Sequence, residues 1–131
     1  MTHRSTIAIV LVDHGSRDPD TRAHLPAVAE RVSAARPDWL VRHAHMEFGT
    51  PGVAEAIEGC VTDGATEIHV HPFFLNEGMH VRETIPGLVE AERAKHPGVL
   101  IDVTEHIGLH DGLVDAVLTR IDDSHGKRRG D

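Results

Sequence analysis

Short β-branched apolar runs alternate along this chain with longer stretches whose apolar residues recur at helical spacing. Residues 6–12, TIAIVLV, are apolar after the threonine, as expected for a strand covered on both faces. Asp18 followed by Pro19 is an N-cap with proline at the first helical position, so a helix is predicted to about residue 35, with Leu25, Val28, Ala29 and Val32 on one face. Pro37 closes it, and residues 39–46 read as a second strand. Thr50–Pro51 repeats the cap-then-proline device and opens a helix through Val53, Ile57 and Val61, which Asp63–Gly64 stops. Residues 67–71 form a third strand that ends at Pro72. The stretch PFFLNEGMHVRETIP leads into a helix to about residue 95, with Pro86 as its start or as a break within it. Residues 99–104 are the fourth strand and 112–121 the last helix. The ending DDSHGKRRGD holds no apolar residue, so one domain over 1–122 and a disordered charged tail over 123–131 are expected.

This alternation is the pattern of an α/β fold, three layers deep, with about four parallel strands and crossover helices. In such sheets ligands bind outside the carboxyl ends of the strands, at a switch in strand order. The first strand runs out at His14 and the second at Glu47. The third is followed by the loop that carries His80, and the fourth gives way to Glu105–His106. His14, Glu47, His80 and His106 are thus the candidates to converge on one edge.

Composition narrows the function. A chain of 131 residues makes one domain with a real core. A net charge of −8, with Lys127, Arg128 and Arg129 as its one basic cluster, argues against a nucleic-acid partner. The single cysteine, Cys60, excludes an internal disulfide and fits a reducing compartment; its place in a helical pattern makes it a small buried apolar side chain rather than a nucleophile. No leader pattern precedes the first strand and no run approaches a membrane span, so a cytoplasmic protein without a membrane partner is expected. Histidine is the unusual count: 12, against 13 Lys plus Arg, with no Tyr.

The junction VDHGSRDP at residues 12–19 bears three chemical readings. Phosphate binding is disfavoured because Asp13 stands where a cation should grip the anion, and no glycine-rich nucleotide loop is present. Ser16 lies near His14 but in no nucleophile elbow, and reads as a residue of the loop before the helix. Metal ligation is the stronger reading. Imidazole with carboxylate suits cobalt, nickel, iron and zinc, and two histidines near glycine fall at the same predicted edge. No local His/Cys spacing of a finger or zincin occurs, so any site must be assembled from distant strand ends.

Together, LVDHGSRDP, MEFGTPGVAEAI, GATEIHVHPFFLNEGMHVRETIP and HIGLHDGLVDAVLTRI resemble the short single-domain form of the sirohydrochlorin chelatases, class II tetrapyrrole chelatases of the CbiX/SirB type. The resemblance runs from about Ile7 to Ile121. It implies a chelatase-like fold, equivalent to half of a longer class II chelatase. It also implies a lyase-type enzyme that inserts Co2+, Fe2+ or Ni2+ into sirohydrochlorin or a related tetrapyrrole, in cobalamin- or sirohaem-type biosynthesis. The metal is then a substrate, and no organic cofactor is implied. Carried over by motif, His14 and His80 face the metal, and they share catalysis with Glu47. Ser16, Arg17 and Arg82, with Arg42 a further candidate, are placed to grip substrate carboxylates or are ordinary solvated pairs. A symmetric homodimer is implied as well. A carrier of metal or tetrapyrrole that keeps the fold without catalysis is the alternative.

The chain departs from the family pattern at several positions. Asp13 replaces a small residue, and either orients His14 or restricts access to the cleft. Thr84, just before Ile85–Pro86, stands where an aspartate is customary. His43, His45, His69 and His71 replace aliphatic or aromatic side chains. Strict alternation puts His43, His45 and Glu47 on one side of their strand. The four histidines then mark either a second metal- or carboxylate-binding surface, or a sheet face only half covered whose imidazoles are bonded locally.

Overall fold

A computed structural model describes residues 5–128. Four parallel strands form one sheet in the order β2-β1-β3-β4: β1 Ile7–Gly15, β2 Leu40–Phe48, β3 Glu67–Pro72 and β4 Leu100–Val103. The helices are α1 Pro19–Arg22, α2 His24–Ala35, α3 Val53–Thr62, α4 Ile85–Lys95 and α5 Asp111–Arg128, with a π-helical turn at His80–Thr84 that runs straight into α4. The predicted α/β architecture is the observed one.

Register explains which residues meet. Ala8, Val10, Val12, Ala44, Ile68, Val70 and Ile101 lie on one face of the sheet. They pack against Val53, Ala56, Ile57 and Cys60 of α3 and against Ile85 and Val89 of α4. Full burial of each larger aliphatic here contributes roughly 1.5–3 kcal/mol. The other face is covered by α2, through Leu25, Ala29, Val28 and Val32, over Leu11, Ile9 and Val41. On that same face β3 and β4 present Glu67, His69, His71 and Asp102, and Thr104, just after β4, meets His71 there. The sheet is therefore largely apolar on one side, with Arg42 of β2 an exception, and only half apolar on the other.

Several boundaries moved for identifiable reasons. The Asp18 cap is real, with its carboxylate accepting from the Asp20 N–H at 3.0 Å, but Ala23 separates α1 from α2 where one helix was predicted. Thr50 does not cap α3; the Thr50–Pro51 bond is cis, Gly52 is the cap, and the Glu55 carboxylate accepts from its N–H at 3.2 Å. Pro86 is the second residue of α4 and so marks the start of the α-helix, one of the two readings, although a π turn leads into it without interruption. It falls in the first turn of α4, where its missing N–H is tolerated, after the π turn has begun the helix six residues earlier. β1 runs on to Gly15, so His14 belongs to the strand itself. α5 continues to Arg128, past Ile121 and through most of the residues read as tail; residues 129–131 lie outside the described residues.

Candidate metal centre

His14 is the penultimate residue of β1, and its Nε2 lies 3.3 Å from Glu47 Oε2 at the end of β2. His80 opens the π turn, and its ring centroid is 5.3 Å from that of His14. One ligand atom from each of His14, Glu47 and His80 falls within 4.8 Å of the other two. The three come from separate strand ends and a loop, on the predicted edge. His14 and Glu47 are 42% and 52% exposed, open enough for a ligand to reach them. The Nδ1 of His80 is buried without a hydrogen-bond partner among the described residues, a polar atom the fold itself does not satisfy.

A bulge puts Glu47 there. Asp13 pairs with His45, but Gly15 pairs with Phe48, so β2 spends one extra residue opposite His14. Met46 turns into the core and Glu47 reaches His14. Glu47 thus parts from His43 and His45, contrary to the alternation expected. Gly15 makes the close approach possible: its φ is +87°, and a Cβ there would run into the Phe48 carbonyl, which accepts from the Ser16 N–H at 2.9 Å.

Asp13 does not orient His14. Adjacent strand residues point to opposite faces, and Asp13 turns to the α2 side, where its Oδ1 lies 2.5 Å from His45 Nδ1. His45 is only 2% exposed, so the carboxylate serves a buried imidazole. The other unusual histidines also have local surroundings. His69 Nε2 is 2.8 Å from Glu67 Oε2. The Thr104 hydroxyl donates to the Glu105 carbonyl, so its oxygen accepts from His71 Nδ1 at 2.8 Å. Burial holds His71 below its ordinary pKa; burial does the same for His43, helped by the neighbouring His45. None of the four belongs to a three-residue ligand group among the described residues, and they occupy the half-covered face.

His106 does not join His14 and His80. It lines a neighbouring cleft of about 670 Å³ with His71, Thr104 and His110. Arg42 is drawn away into an ion pair with Asp63 at the end of α3. The Arg17 guanidinium lies 4.7 Å from the centroid of the Phe48 ring, beside the cluster, and Arg82 is exposed on the π turn. Ser16 accepts from the Asp18 N–H at 3.1 Å and gives its carbonyl to Arg22 at 2.9 Å, which shapes the loop. Phe48 and Phe74 were not singled out from the sequence. Phe48 meets the His14 ring edge-on at 5.6 Å, and Phe74 lies 6.3 Å from His80. An aromatic directly after the strand-end carboxylate was the available signal.

Comparisons with known proteins bear on this geometry. The CbiX family model matches residues 8–124. Over 113 residues the chain is 34% identical to the chloroplastic sirohydrochlorin ferrochelatase of Arabidopsis thaliana, covering 86% of this chain and 50% of that protein. It is 31% identical to the sirohydrochlorin cobaltochelatase of Priestia megaterium, covering 89% of this chain but only 38% of that protein. The sirohydrochlorin cobaltochelatase of Methanococcoides burtonii is 30% identical, with 87% of this chain and 93% of that protein covered. The chain thus spans half or less of the first two relatives and nearly all of the third. Among solved structures, SirB from Bacillus subtilis subspecies spizizenii in complex with cobalt superposes with a TM-score of 0.83 at 29% identity, over 90% of this chain and 50% of that one. A putative cobalamin biosynthesis CbiX protein from Marinobacter aquaeolei VT8 superposes with a TM-score of 0.79 at 26% identity, over 92% and 98%. Motifs, sheet order and these matches agree: the chain belongs to the CbiX family of sirohydrochlorin chelatases.

Proposed function

We propose that this chain inserts a divalent metal, Co2+, Fe2+ or Ni2+, into sirohydrochlorin or a related modified tetrapyrrole, in cobalamin- or sirohaem-type biosynthesis. The observation that carries the reading is the convergence of His14, Glu47 and His80 within 4.8 Å at the carboxyl edge of the sheet. Neutral imidazoles at His14 and His80 offer lone pairs to the metal substrate, and Glu47 adds a carboxylate. Insertion replaces two pyrrole N–H protons by one dication, so two protons must leave as the metal–nitrogen bonds form. Once the metal has passed to the macrocycle, the imidazoles and Glu47 become free to accept those protons and hand them to water. Such substrates carry many carboxylates, and Arg17, Arg82 and the Ser16 loop flank the cluster to hold them locally. Net charge at −8 gives no long-range attraction, so these contacts carry recognition.

The reading includes a homodimer in the cytoplasm, acting without an organic cofactor. Val114, Val117, Leu118 and Ile121 follow helical spacing on α5 and are 44–58% exposed, an apolar stripe suited to a second copy. No helix among the described residues is long and apolar enough to cross a membrane.

The test is absorbance-monitored insertion of Co2+ into sirohydrochlorin above the spontaneous rate. Wild-type protein accelerates insertion, and His14→Ala and His80→Ala each reduce the rate by at least about a hundredfold while remaining folded. Full activity in either variant overturns the assignment, and binding of both substrates without acceleration points to a carrier instead.

A further inference from the structure

A second group of ionisable side chains sits on the outer helices, away from the carboxyl edge of the sheet. Helices that connect parallel strands run antiparallel to them, so the ends of α3 and α4 lie toward the edge where the strands begin. Glu58 lies in the second half of α3, Glu92 and Lys95 lie in the last turns of α4, and His96 is its C-cap. None of them takes part in the chemistry assigned to His14, Glu47 and His80.

Glu92 is 1% exposed, in a position where a helix facing a sheet ordinarily presents an aliphatic residue. Its Oε2 lies 3.0 Å from Lys95 Nζ. Its Oε1 is buried with no hydrogen-bond partner among the described residues, and the same is true of His96 Nε2. These two orphaned atoms are 3.8 Å apart, beyond hydrogen-bond range. A buried carboxylate oxygen left this way costs free energy unless something completes it. Glu58 approaches from α3, with its Oε1 3.7 Å from Lys95 Nζ. One ligand atom each from Glu58, Glu92 and His96 lies within 4.8 Å of the others.

We propose that Glu58, Glu92 and His96 form a second divalent-cation site that ties α3 to α4, with Lys95 as the competing cation that occupies it when no metal is bound. Two carboxylates and one imidazole make a donor set for Zn2+, Co2+ or Ni2+; Mg2+ and Ca2+ favour oxygen alone. The ion satisfies both orphaned atoms and neutralises a buried negative charge that the half-exposed ammonium meets on one oxygen only. Lys95 is 57% exposed and is free to swing into solvent as the metal enters. This site stands independently of the chelatase reading.

The experiment uses untagged full-length protein carrying His14→Ala and His80→Ala, which removes the imidazoles at the carboxyl edge. Zn2+ is titrated by calorimetry, and Co2+ is followed by its visible absorption. The double variant is expected to bind one equivalent of Zn2+, and to show a Co2+ spectrum of low coordination number. Adding Glu58→Ala or His96→Ala lowers the affinity by more than about tenfold. Adding Lys95→Met raises it, because the competing cation is gone. Glu58 is exposed, so its substitution leaves folding intact even where loss of His96 frays α4. Absence of Zn2+ binding in the double variant overturns the proposal. So does unchanged affinity in Glu58→Ala, or weaker binding in Lys95→Met.

Discussion

Asp13 shows how far a single residue's meaning depends on the side to which it points. Next to His14 in sequence, it faces the opposite side of the sheet and completes a buried pair with His45. Asp13→Ala leaves that buried imidazole without its partner, a loss of about 1–3 kcal/mol. A fall in the urea midpoint with unchanged Co2+ affinity is the expected result, and a large drop in Co2+ affinity would restore the role of orienting His14. His71 supports a pH prediction. Burial lowers its pKa in the folded state from the ordinary 6.5, so below that value the unfolded chain binds more protons than the folded one. Stability is therefore full above 6.5 and declines as pH falls through the folded value. His71→Asn keeps a donor for Thr104 but cannot titrate, and should flatten the loss seen in urea unfolding between about pH 7 and about pH 5. An unchanged slope would refute this.

At the scale of elements, the devices that place the site are small irregularities: the β2 bulge, the turn at Gly15 and the π turn that starts at His80. Such features are common where a side chain must be re-aimed, and each interrupts a simple period. Gly15→Ala forces a side chain against the Phe48 carbonyl at a positive φ, and is expected to destabilise the protein by more than about 1 kcal/mol. It should also weaken Co2+ binding, since it parts His14 from Glu47; equilibrium unfolding and a Co2+ titration measure the two effects. Wild-type stability would show that the turn is not constrained in this way. The strands and most of the helices were legible from period and turn residues, apart from their ends, the break at Ala23 and the π turn. The separation of Glu47 from His43 and His45 was not, because one extra residue in a strand leaves no mark on composition or propensity.

For the whole molecule, α5 bears on assembly through its exposed apolar stripe. Its stripe at residues 114, 117, 118 and 121 lies in solvent, and Leu109 before it is 94% exposed. Leu118→Glu places a charge in the stripe without touching the core, and is expected to convert a dimer into a folded monomer by light scattering, with loss of chelatase activity. A wild-type monomer, or a variant that remains dimeric, would refute that assembly. The succession of strands and helices along the chain and the sheet edge on which His14, Glu47 and His80 meet were legible in the sequence, although His106, expected there too, lies apart. Hydrophobic periodicity and turn chemistry act locally, and the loops after parallel strands must emerge on one edge. Tertiary structure decided the partners: Asp13 with His45, Glu47 with His14, Arg42 with Asp63, and Glu58 with Lys95. Each pair joins residues by register, bulge or helix packing, and these are set by how whole elements fit together rather than by any short stretch of chain.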